Sequence, residues 1–182
     1  MNPTREESTA LLNQYIESES LRLHCHMVAT AVEGYAKKLD KPDDTVDRWW
    51  TTGLLHDLDW ESFPDEHPHK AVNELLPDKG YDSEIIGAVE AHAPNRTGRE
   101  PESEMERYLF ACDEISGFMK AVSLMRPNGF DDMKVKSVTK KLKDKKFAES
   151  VPREDIKKGA ELISLELRDH IQNLITFFKG RY

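Results

Sequence analysis

Five side chains stand out by type and spacing: His24, His56, Asp57, His92 and Asp113. Each sits at the edge of an apolar helical run. His56-Asp57 directly follows Gly53-Leu54-Leu55, so a polar pair ends an apolar stretch and needs partners to offset its desolvation. His24 lies three residues after Leu21 and four before Val28. His92 falls seven after Ile85 and three after Val89, and Asp113 follows Leu109-Phe110-Ala111-Cys112. Separate helices therefore deliver imidazoles and carboxylates to the inside of a bundle, which is how helical cores build metal centres. Neutral imidazole and carboxylate suit divalent Fe, Mn, Co, Ni or Zn without any thiolate. A divalent ion acidifies its water and polarises a phosphoryl oxygen. Two ions about 3.5–4 Å apart hold both the attacking and the leaving oxygen.

The elements that must position these groups read as helices. Leu21, Cys25, Val28, Val32, Tyr35 and Leu39 recur at three- and four-residue steps, one apolar stripe of a helix capped by Ser18 or Ser20 and stopped by Pro42. Residues 45–58 read as the next helix, with Val46, Trp49, Trp50, Leu54 and Leu55. Ser62-Phe63-Pro64-Asp65 is a loop, and a helix resumes through Ala71, Leu75 and Leu76 until Pro77 and Gly80. Asp82 or Ser83 caps the helix of Ile85, Ile86 and Val89, and residues 94–98 form another loop. A long helix covers 102–125 with Met105, Leu109, Cys112, Ser116 and Met119 on its core stripe. Pro127-Asn128-Gly129 breaks it. Short helices follow, the last covering about 153–178. Strand-type alternation is absent beyond a few residues. The expected fold class is all-α, a helical bundle in a single domain over 1–182.

Composition narrows the function classes. The 182 residues are 38% hydrophobic and 33% charged, a balance that supports a folded core. No apolar run is long enough to span a bilayer, and the first residues are polar and acidic rather than basic then apolar. Two cysteines, Cys25 and Cys112, exclude a disulfide scaffold and read as small core residues. A cytoplasmic setting is expected. Net charge is −8, so no global nucleic-acid footprint exists. The local exception is 134–146, where seven lysines, Lys136 among them, face Asp144 alone. That run is either a solvated helix face or a phosphate-attracting rim. No Gly-rich phosphate loop and no nucleophilic serine or cysteine motif is present.

The order His24, His56-Asp57, Asp113 resembles the signature of the HD superfamily of metal-dependent phosphohydrolases. His24-Cys25-His26-Met27-Val28 is similar to the family's first-ligand segment, and Gly53-Leu54-Leu55-His56-Asp57-Leu58-Asp59 to its central motif. His67-Pro68-His69-Lys70-Ala71 resembles the segment that follows in many two-metal members. Ala88-Val89-Glu90-Ala91-His92 and Ala111-Cys112-Asp113-Glu114 resemble the remaining two. The likeness covers about 21–118, with helices of 130–178 expected to pack on that core. Beyond Phe118, Val135-Lys136-Ser137-Val138 and Ile156-Lys157-Lys158-Gly159-Ala160 resemble a subgroup of uncharacterised hydrolases that names no substrate.

The resemblance implies one or two divalent ions (Fe, Mn, Co, Ni, Zn or Mg). His24, His56, Asp57 and Asp113 would hold the first; His67 and His92 would recruit a second, with Asp57 bridging. His26 is the rival of His24, and His69 of His67. It further implies hydrolysis of a small phosphate ester, a nucleotide foremost, by metal-activated water. Some HDIG members often carry a lysine soon after the His-Asp pair, whereas Leu58-Asp59 stands here. Phosphate contact then falls to another cation, with Arg96, Arg126 and Lys136 the candidates. Asp59 and Glu61 either orient the attacking water or belong to an ordinary acidic loop. Trp49, Trp50 and Trp60 are expected to pack. Two other readings share the ligand set: a diiron oxygenase, and a non-catalytic module that binds metal or nucleotide.

Overall fold

The computed structural model describes residues 2–182, which form helices and connecting turns with no strand among the described residues. Helix α1 (Arg5–Tyr15) starts with a capping box, in which Thr4 and Glu7 satisfy each other's backbone N–H groups. Helix α2 (Glu19–Lys38) is capped by Ser18, whose hydroxyl accepts from the Leu21 N–H. Helix α3 (Asp43–Leu55) begins directly after Pro42, two residues before the expected start, and ends at Leu55. His56 and Asp57 thus lie at the helix end, where the chain turns away.

Residues 56–70 run through turns into a wider π-helical turn (Ala71–Leu75) and the short α4 (Leu76–Asp78). Helix α5 (Ser83–Ala91) is capped by Asp82, which accepts from the N–H groups of Glu84 and Ile85. The expected loop at 94–98 contains one helical turn, α6 (Pro94–Thr97), closed by Gly98 at φ 72°. Helix α7 (Glu104–Ser123) carries a second capping box, Ser103 with Glu106. Then come α8 (Val135–Leu142), α9 (Arg153–Leu162) and α10 (Leu167–Phe178).

The last two replace the single helix expected over 153–178. Ser164 takes a left-handed φ of 55°, and the Leu165 N–H reaches back to the Ala160 carbonyl at 3.0 Å. This is a Schellman closure, which glycine usually supplies. A serine there leaves no stop signal in the sequence.

Helix α2 is central. It packs on α3, α7 and α10, and α7 packs on α9. One face of α2 (Val28, Val32, Tyr35) joins α7, α9 and α10 in a core that includes Ile115, Phe118, Ile156 and Leu174. Its other face (Cys25, Ala29) joins α1, α3 and α5 around Leu12, Leu54 and Ile85. Two glycines permit the close crossings. A Cβ on Gly53 would lie 2.8 Å from the Cα and N of Ala29, and one on Gly159 would lie 2.7 Å from the Cα of Ala111. The first contact clamps α3 to α2; the second clamps α9 to α7. Both cysteines are fully buried, and burial pushes the Cys25 thiol up to about 12.

Candidate metal centre

Side chains from several elements converge. Nε2 of His24 on α2 lies 3.0 Å from Oδ1 of Asp113 on α7 and 3.3 Å from Nε2 of His56. His56 Nε2 is in turn 3.3 Å from Asp113 Oδ1 and 3.3 Å from Asp57 Oδ2. The other oxygen of Asp57, Oδ1, lies 3.6 Å from His67 Nε2 and 3.7 Å from His92 Nε2. Two donor groups result, His24-His56-Asp113 and Asp57-His67-His92, each with its donor atoms within 4.8 Å of one another. Asp57 turns one oxygen toward each.

Backbone carbonyls fix the imidazole orientation. His56 Nδ1–H donates to Gly53 O at 2.8 Å, and His92 Nδ1–H donates to Val89 O at 2.5 Å. A carbonyl only accepts, so in each neutral ring Nε2 is the lone-pair atom and points into the centre. His67 Nδ1 is 2.7 Å from Oδ1 of Asp59, whose Oδ2 accepts the Ala71 N–H at 2.8 Å.

This donor set fits a divalent cation. Lone pairs on His56, His67 and His92 face carboxylate oxygens, a repulsive arrangement unless positive charge sits between them. Burial works against charging His56, but Asp57 and Asp113 outweigh it and hold the imidazole well above its usual range. Burial likewise opposes ionised Asp57 and Asp113, yet the charge and hydrogen bonds of His56, with those of the neighbouring imidazoles, hold both below the usual carboxylate range. Donor separations of 3.0–3.7 Å also lie close to the spacings of about 2.8–3.6 Å expected for right-angle or tetrahedral neighbours bonded at about 2.0–2.2 Å.

A cavity of about 570 Å³ opens onto the centre, with His24, Asp57, His67, His92 and Asp113 in its wall. Arg96 and Trp60 form one side. The Arg96 guanidinium stacks over the Trp60 ring at 5.1 Å, and its NH1 donates to Pro64 O at 2.9 Å and His67 O at 3.2 Å. Phe110 and Glu114 of α7, Asp155 and Lys158 of α9, and Glu100 also line it. Lys158 is ion-paired to Glu100 at 2.7 Å. Glu114 and Asp155 have no hydrogen-bond or ion-pair partner among the described residues. Burial, reinforced by Asp113 and Asp155, pushes the Glu114 carboxyl up to about 8; a cation in the centre would pull it back down.

Several expected site residues are placed elsewhere. Asp59 is fully buried behind His67, off the cavity wall, so it does not reach an attacking water. Glu61 turns away and accepts the N–H groups of Glu17 and Ser18, tying the α1–α2 turn. Arg126 spends its fork on Asp132 and on Ser137 Oγ at 2.9 Å, and lies off the cavity wall. Lys136 is an exposed residue of α8, also off that wall. Trp60 is 42% exposed and edges onto His67 at 4.9 Å, so it belongs to the cavity rim rather than the core. His69 is exposed whereas His67 is buried. Sequence reasoning missed Glu114, Asp155, Lys158 and Phe110 as cavity walls. Adjacency to Asp113 marked Glu114; nothing local marked the α9 pair.

An all-helical bundle that aims imidazoles and carboxylates from five chain segments at one point defines a candidate metal-site protein. The sequence profile of the HD domain matches residues 22–117, more than half of the 182 residues, and the chain belongs to the HD domain family. No curated protein and no solved structure matches the chain. Among the described residues no helix is long and apolar enough to cross a membrane.

Proposed function

We propose that this protein hydrolyses a small phosphate monoester at a two-ion centre, His24, His56 and Asp113 holding one divalent ion, His67 and His92 the other, and Asp57 bridging them. The observation that carries the reading is the split of Asp57, one oxygen toward each donor group. Bound ions there would supply Lewis-acid polarisation of the phosphoryl oxygen and a more acidic water.

The chain's own residues do the rest. The carbonyls of Gly53 and Val89 hold the rings of His56 and His92 in place, which limits reorganisation when ligand enters. Arg96 faces the cavity with NH2 and Nε not engaged in hydrogen bonds, a fork suited to a phosphate oxygen pair. Trp60 and Phe110 screen the reacting phosphate from bulk water. Glu114 is the cavity carboxyl placed to exchange a proton with substrate.

Charge on the wall formed by α7 and α9 selects among phosphates. Glu114 and Asp155 stand unpaired and the Lys158 charge is already matched by Glu100. A second phosphate reaching that wall would meet carboxyl groups and no unmatched cation, whereas sugar hydroxyls would find acceptors. The reading is therefore a monophosphate, with a nucleoside monophosphate the leading substrate, rather than a di- or triphosphate.

The test is phosphate release from nucleoside mono- and diphosphates, sugar phosphates and a phosphodiester, with Mn, Co, Ni, Fe and Mg in turn. Release from a monophosphate that exceeds release from its diphosphate supports the reading. Inactivity of metal-loaded protein on every ester contradicts it, and oxygen uptake by the iron-loaded protein without phosphate release would favour the oxygenase alternative.

A further inference from the structure

The histidines of the centre are not held alike. His24 lies within a helix, and His56 and His92 sit at helix ends, where each donates Nδ1–H to the carbonyl three residues back. His67 belongs to the turns between α3 and the π-helical turn, so no helix carbonyl orients it. A side chain does that work instead. Asp59, fully buried, accepts from His67 Nδ1–H at 2.7 Å through Oδ1 and from the Ala71 N–H at 2.8 Å through Oδ2. No lysine or arginine pairs with it among the described residues. Its hydrogen-bonding capacity goes to one ring and one backbone amide.

We propose that Asp59 is a positioning residue that makes His67 a ligand and thereby sets whether the centre holds two ions or one. The inference rests on the two-ion reading above. A carboxylate behind an imidazole fixes the Nδ1–H tautomer, aims Nε2 and raises its basicity. His56 and His92 have only neutral carbonyls behind them, so His67 is the strengthened donor of the Asp57-His67-His92 group. Anchoring Asp59 through Ala71 joins the ligand loop to the start of the π-helical turn, and Arg96 holds the same loop from outside through the carbonyls of Pro64 and His67.

Asp59→Asn separates this role from mere packing. The asparagine keeps the shape but offers one acceptor oxygen for two N–H donors. Either the Ala71 amide loses its partner, or His67 shifts to the Nε2–H tautomer, which removes the lone pair facing Asp57. Manganese is titrated into chelator-treated protein and followed by calorimetry and metal analysis, with His67→Gln as the reference. The wild type takes two ions per chain. D59N keeps the first with little change and binds the second about 10–100-fold more weakly, as H67Q does more severely.

Two unchanged ions in D59N, with only the melting temperature lowered, would overturn the positioning role while leaving the two-ion reading intact. A single ion in the wild type would sink both. A measurement on the unmodified, metal-free protein does not depend on the variant folding: the histidine ¹H–¹⁵N spectrum should show His67 with its proton on Nδ1 and a hydrogen-bonded, downfield shift. The Nε2–H tautomer there would refute the proposal.

Discussion

Replacing Gly53 by alanine adds one methyl group where α2 and α3 touch. That methyl would sit 2.8 Å from Ala29 Cα, Ala29 N and Val32 Cγ2, against about 3.4 Å for ordinary contact. Two of the three atoms are backbone, so rotamer changes cannot relieve the overlap, and the helices must part by about 0.6 Å. Overpacking of this kind costs about 1–3 kcal/mol. The better helix propensity of alanine returns up to about 1 kcal/mol, leaving a net loss of about 0–2 kcal/mol. The same displacement moves His56 and Asp57 relative to His24, which is 3.3 Å and 3.7 Å from them. Metal sites tolerate distance errors of about 0.2 Å, so cation affinity falls along with stability. Urea unfolding of chelated protein measures the first effect, and manganese titration of the folded variant measures the second. A G53A protein with wild-type stability and wild-type affinity would refute the claim that this crossing sets the centre.

Other outcomes follow from the same contacts. Arg96→Ala should lower kcat/KM for a phosphate monoester by about 10–100-fold, mainly through KM, the loss of about 1.5–3 kcal/mol expected for charged hydrogen bonds; R96K should recover only part, and unchanged kinetics would remove Arg96 from phosphate binding. His170 is buried, donates Nε2–H to Ala111 O at 2.8 Å and accepts from Tyr35 OH, and burial lowers it to about 4. The unfolded chain therefore takes up the proton first as pH falls below about 6.5, and stability drops between there and pH 4, by about 2 kcal/mol from pH 7 to pH 5. Subtracting the same curve for His170→Gln isolates this contribution from that of His56, which has the opposite sign in metal-free protein; a pH-independent difference would contradict it. Asp155→Asn should narrow the preference for a nucleoside monophosphate over its diphosphate, read as the ratio of kcat/KM values, and an unchanged ratio would mean that the acidic wall does not select.

Much of this was written locally in the chain. Three- and four-residue spacing exposes the α2 stripe, and that stripe distinguishes His24, which the structure brings to the centre, from His26, which it does not. The caps at Ser18 and Asp82 are side-chain oxygens just ahead of apolar runs, readable without tertiary knowledge. What escaped depends on distant partners. The break at Ser164 uses a left-handed serine, so no glycine or proline announced it. Asp59 and Glu61 look alike in sequence as acids of one loop, yet one is drawn inward by His67 and the Ala71 amide and the other outward by the α1–α2 turn. Positive charge was equally ambiguous: Arg126 is consumed by Asp132 and Ser137, while Arg96 is bound to the cavity by the stacked Trp60. Gly159 lets α9 lie against Ala111 of α7, and α9 brings Asp155 and Lys158 to the cavity that the metal donors line.

The most direct test is anomalous diffraction at the manganese absorption edge from crystals of the reconstituted protein. Two peaks are predicted, one among His24, His56 and Asp113 and one among His67 and His92, with an Asp57 oxygen beside each. Manganese bound elsewhere, with these five segments closed on one another around no peak at all, would contradict the account.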